Sequence, residues 1–115
     1  MHVEIQARGF ELSENLENHI HKKVTHALQY ANTKVRKVIV RLFNEDARHN
    51  QKTRTCRILV SVKGMPDIIT NYRANNIYKA SNAAIKASSF TIKNRLNKIR
   101  KLKNIKRQTQ SLITN

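Results

Sequence analysis

Residues 76–103 read NIYKASNAAIKASSFTIKNRLNKIRKLK, and two periodicities are superimposed on them. Ile77, Ala84, Ile85, Ser88, Ile92, Leu96 and Ile99 recur at the spacing that lines apolar side chains along one side of an α-helix, with Tyr78 beside them. Lys79, Lys86, Lys93 and Arg100, continued by Arg107, recur at every seventh residue. Two helical turns take about 7.2 residues, so this charge drifts by only ~20° per repeat and forms a nearly straight stripe. The stripe sits roughly 100° round from the apolar seam, the offset of one residue. One side of the helix is therefore suited to covering a sheet and the other to meeting an anion. Asn75 or Asn76 is the expected N-cap, and the helix is expected to run to about Lys103. Residues 104–115 are then a flexible basic and polar tail with no apolar stripe to hold it down.

Outward from this helix, Gly64 and Pro66 mark a turn, and the segment from Asp67 to Arg73 between turn and helix reads as a strand. Cys56, Ile58, Val60 and Val62 alternate before the turn, as do Val38, Val40 and Leu42 earlier, and both runs have the two-residue period of a half-buried strand. The polar run from Asn44 to Lys52 is expected to connect them. Val3, Ile5 and Ala7 give a first strand that stops at Gly9. Ser13 then caps a helix with Glu14 and Glu17 near its positive end, Leu16, Ile20, Val24 and Leu28 along its buried side, and Asn32 as its stop. The predicted fold is α+β in the order βαβββα: a four-stranded, mostly antiparallel sheet with two helices packed on one face. A length of 115 residues fits one such domain, read as 1–103, with an aliphatic core, since aromatics are only 5% of the chain.

Charge is distributed unevenly. The formal net charge is +16, and no Asp or Glu follows Asp67, whereas eleven Lys and Arg do. A solvated helix normally mixes its signs; an unmixed stripe with nothing to neutralise it is built against a polyanion, and a nucleic acid backbone is the partner it fits. The lone Cys56 excludes an internal disulfide and reads as a small buried hydrophobe. The N-terminus lacks the pattern of a signal peptide and no stretch approaches a membrane span, so a cytoplasmic chain is expected. His19, His21, His26 and His49 show no zinc spacing, Gly64-Met65-Pro66 is a turn and not a phosphate loop, and neither a serine nor the cysteine has an evident His and acid partner. No enzyme, metal, cofactor or small-molecule substrate is expected. A membrane anchor would need the apolar side of the last helix, which the sheet already claims.

The pattern Val3-x-Ile5, then Phe10-Glu11-Leu12-Ser13-Glu14 with Leu16 and continuing to Tyr30, then Asn76-Ile77-Tyr78-Lys79-Ala80, resembles the ribosome hibernation-promoting factors and ribosome-associated inhibitor A. The resemblance covers residues 1 to about 103 and is to the short form. The long members' dimerisation domain and the inhibitor's acidic tail have no counterpart in the sequence. It implies a βαβββα domain that binds rRNA of the small ribosomal subunit in the channel that mRNA and tRNA also need, keeping idle ribosomes inactive. Here Asn76 and Asn82 stand where the family usually has aspartates, Ser81 replaces an isoleucine, and Lys86 stands where an acid is common. The helix is thus more basic than the family pattern. The alternative reading is a general structured-RNA binder such as a ribosome assembly factor.

The residues assigned to nucleic-acid binding are Lys79, Lys86, Lys93, Arg100 and Lys101 on the last helix, Arg73 just before it as an extension of the stripe, and Lys22 and Lys23, which with His19 and His26 form a second basic patch on the first helix. Phe90 falls between Lys86 and Lys93, away from the seam. Either it stacks on an unpaired base or it folds over the lysine stems. Lys37, Arg41, Arg57 and Lys63 share the solvent face of the sheet with Ile39 and Leu59, as a second RNA surface or as solubilising charge.

Overall fold

The computed structural model describes the backbone over residues 1–46 and 52–113 and side chains over 1–44 and 53–106. Four strands and two long helices follow in the order β1 (His2–Arg8), α1 (Glu14–Ala27), β2 (Val35–Asp46), β3 (Lys52–Val62), β4 (Ile68–Ala74) and α2 (Ile77–Ile113), with a short 3-10 turn at Gln29–Ala31. The strands lie in sequence order, β1 parallel to β2 and the other two pairs antiparallel. The expected βαβββα architecture is the one observed. The single parallel pair follows from α1, whose crossover returns the chain to the sheet in the same direction.

Local chemistry fixes each boundary. Gly9 has φ +85°, and a Cβ there would lie 3.1 Å from the carbonyl oxygen of Asn44, so both conformation and space demand glycine. The Ser13 hydroxyl accepts from the Leu16 N–H at 3.2 Å and opens α1. Replacing Ser13 with Ala is expected to cost ~1 kcal/mol, read as a lowered urea midpoint with unchanged slope. A midpoint that does not move would show that the cap contributes nothing. Helix α1 ends at Ala27 and not at Asn32, which caps the 3-10 turn instead. The Asn76 side chain accepts from the Tyr78 N–H at 2.8 Å and opens α2.

Leu16, Ile20 and Val24 of α1, and Ala80, Ala84, Ile85 and Ile92 of α2, are buried against Val38, Val40, Leu42, Cys56, Ile58, Val60 and Ile68 of the sheet. Burial pushes the Cys56 thiol up to about 11, which leaves it protonated and inert. Small residues let α2 approach the sheet closely: Ser88 donates to the Ala84 carbonyl at 2.8 Å and lies 3.0 Å from the Thr70 hydroxyl.

Two further expectations are corrected. The polar run 44–52 is not all connection, because β2 continues to Asp46 and β3 begins at Lys52; residues 47–51 lie outside the described residues. Nor does the last helix stop near Lys103. It continues to Ile113, so most of the expected tail is helical. Arg107 is within that helix, but its side chain lies outside the described residues.

Candidate nucleic-acid interface

Lys79, Lys86, Lys93 and Arg100 are all exposed on α2. At 1.5 Å per residue they span ~31 Å, enough to follow several phosphates. Lys86 and Lys93 of the stripe stand on one wall of a groove between the two helices. Lys86, Phe90 and Lys93 from α2 face Lys23 and His26 from α1 across a cavity of about 470 Å³, floored by Ala27, Ile85 and Ser89. The groove continues towards Arg100 through a second depression lined by Tyr30, Lys34, Lys93 and Leu96.

The two helices are pinned together at one end of this groove and across its floor. At the end His19 Nε2 lies 3.0 Å from Asn82 Oδ1, and its ring meets that of Tyr78 edge-on at 5.0 Å. Across the floor, the Tyr30 hydroxyl donates to the Ser89 carbonyl at 2.9 Å, while the Ser89 hydroxyl donates to the Ala27 carbonyl at 3.0 Å. Burial raises the Tyr30 phenol above its ordinary value, and the Ser89 hydrogen bond pulls the other way. The Lys93 ammonium sits 4.8 Å from the Tyr30 ring centroid, a cation–π contact that leans it over the groove.

Among the described residues, no cation of the stripe has a carboxylate partner; the ion pair that exists, Lys37 with Glu4 at 3.5 Å, is on the sheet. Repulsion along α2 is therefore left to counterions or to a polyanion. The same residues contain no group of three His, Cys, Asp or Glu that could hold a metal ion, and no helix is long and apolar enough to cross a membrane.

The sequence-assigned residues are only partly brought together. Lys23, Lys86 and Lys93 share the groove, Arg100 stands at its extension, and Lys22 lies in a shallow depression with His19, Lys23 and His26. Lys79 continues the stripe towards the N-terminus of α2. Lys101 is exposed but one residue, roughly 100°, round from Arg100. Arg73 does not extend the stripe. It is paired with Thr55 and shares the side of β4 that carries Ile69, whereas Thr70, its neighbour in the alternation, meets Ser88 of α2. Arg73 thus belongs to the open face of the sheet, opposite the helices.

That face carries a cross-strand row of Ile39, Leu59 and Ile69, flanked by Arg41 and Arg57 in the next row. The Arg57 guanidinium lies 5.6 Å from the Phe43 ring. Lys34 and Tyr30 were not picked out by sequence reasoning as interface residues. Their signal is weak, since Tyr30 lies in the 3-10 turn and Lys34 in the turn that follows it, where no helical period applies.

By fold and layout this is a small α+β domain with its concentrated charge on the helix side. The family model described as sigma 54 modulation protein / S30EA ribosomal protein matches residues 3–101, and the chain belongs to that family. Among solved structures, a ribosomal subunit interface protein from Coxiella burnetii is similar with a TM-score of 0.67 and 16% identity, over 87% of this chain and 98% of that one. The N-terminal domain of Protein Y from Thermus thermophilus is similar with a TM-score of 0.68 and 16% identity, over 82% of this chain and 98% of that one. At such identities the likeness shows a shared fold. Comparison with curated proteins returns no match.

Proposed function

We propose that this protein binds rRNA of the small ribosomal subunit, in the path used by mRNA and tRNA, and so holds idle ribosomes inactive in the cytoplasm. The observation that carries the reading is the unneutralised stripe of Lys79, Lys86, Lys93 and Arg100 beside the α1–α2 groove, in a chain whose family is ribosomal. The description of the Coxiella protein as a ribosomal subunit interface protein supports the same reading. Action is by occupation: a domain wedged into the decoding path excludes the substrates of translation without transferring a group or a proton.

Competition is the test. Initiator tRNA together with mRNA is expected to displace the protein from small subunits during co-sedimentation, and in-vitro translation is expected to slow as the protein is added. Undisturbed, simultaneous binding of all three would put the site elsewhere. Equal affinity for the subunit and for unrelated folded RNAs would favour a general structured-RNA binder.

A further inference from the structure

We propose that the α1–α2 groove holds one unpaired nucleotide of the bound RNA, with its base stacked on Phe90 and the flanking phosphates on Lys86 and Lys93, Lys23 closing from the opposite wall. This rests on the RNA-binding reading above and adds what the groove selects. Phe90 is 66% exposed, so its ring is open to a ligand.

Lys86 and Lys93 stand four residues before and three after Phe90, the spacings at which side chains on a helix are neighbours. One ring therefore has a lysine on either side of it along the helix, and both lysines line the same cavity. The cavity of about 470 Å³ falls in the range of small-ligand sites, ~300–1,000 Å³. Its floor is preorganised, because Ser89 is held by its own bond to Ala27 and by the Tyr30 hydroxyl. Asn82 and His26 supply polar edges on the rim.

Charge complementarity alone would accept any phosphate backbone, single or double. The ring changes this. A base in a duplex has both faces already stacked, whereas an unpaired base has a face to offer an aromatic side chain. An acidic peptide could use the three lysines but gains nothing specific from Phe90.

The test uses the full chain and three probes: a short single-stranded RNA, the same strand with abasic residues, and an RNA duplex of equal phosphate number. Phe90→Ala is expected to weaken single-strand binding by about five- to a hundredfold, the usual worth of one stacked base, and to leave the abasic and duplex probes within about twofold. Phe90→Tyr is expected to restore the loss. Alanine is the better helix former and the site is exposed, so folding is not at risk. Equal losses on all three probes, no loss on any, or equally strong competition by polyglutamate would overturn the proposal. Wild-type co-sedimentation with small subunits, run in parallel, separates the two readings. The expected probe pattern without subunit binding upholds the groove and sinks the ribosomal site; subunit binding with no effect of Phe90→Ala does the reverse.

Discussion

Replacing Lys79, Lys86, Lys93 and Arg100 together with Gln is expected to weaken binding to the small subunit by about a thousandfold at low salt while the fold survives. Gln is nearly as good a helix former as Lys, and all four side chains are exposed, so neither propensity nor the core is disturbed. Each lost phosphate contact is taken as ~1 kcal/mol, and four such contacts correspond to about three powers of ten. Net charge alone could produce part of this, because long-range attraction falls with every cation removed. The control is therefore Arg36, Arg41, Arg57 and Lys63 changed to Gln, which removes equal charge from exposed positions on the sheet strands and the turn after β3. The two variants share their steering and differ in close contact. If the control binds as weakly as the stripe variant, α2 is not distinguished from the open face of the sheet as the RNA surface.

A loss of similar size is expected from salt. If the stripe and the groove neutralise ~6 phosphates, the condensed counterions released on binding make affinity fall by about a thousandfold between about 50 and 200 mM salt. A log–log plot of affinity against salt concentration gives the number directly. The slope should shrink by about the number of contacts removed in the stripe variant and less in the control, which adds a second, independent reading of which face is used. A flat plot would mean that the interaction is not with a nucleic acid backbone.

The parts of this fold legible in the sequence are those where burial imposes a period. Val38, Val40 and Leu42 alternate because their partners Val60, Ile58 and Cys56 do, and both rows are covered by helices. Where burial stops, so does the signal: residues 44–46 and 52–54 extend the hairpin through the backbone ladder and a hydrogen bond from Arg54 to Asn44, neither of which leaves an apolar pattern. Serines mislead in the other direction. Ser81, beside Cys56 of the sheet, and Ser89, at the contact between the two helices, are buried although a polarity count excludes them, because each hydroxyl is satisfied by a backbone carbonyl, of Ile77 and Ala27 respectively. The end of α2 was set too early by the fading seam. Lys, Arg, Leu and Gln are good helix formers, and no Gly or Pro occurs after Pro66 to interrupt them.

The stripe was legible because it lies within one helix. The groove was not, since its walls come from segments about sixty residues apart, and a helical wheel gives a face without saying which neighbour it meets. Arg73 shows the same limit. Its closeness in sequence to α2 suggested a shared surface, but strand alternation carries it to the opposite side of the sheet.

The long α2 also governs how the molecule behaves hydrodynamically. Thirty-seven residues of helix rise about 55 Å, and the protein measures 69 × 28 × 17 Å with a radius of gyration of 18.0 Å, where a globular chain of this length has about 13 Å. A column calibrated with round standards reads such a rod-like particle as a heavier one. An early elution volume is therefore a property of shape, and the number of chains per particle must come from light scattering or native mass, in which elongation does not masquerade as self-association.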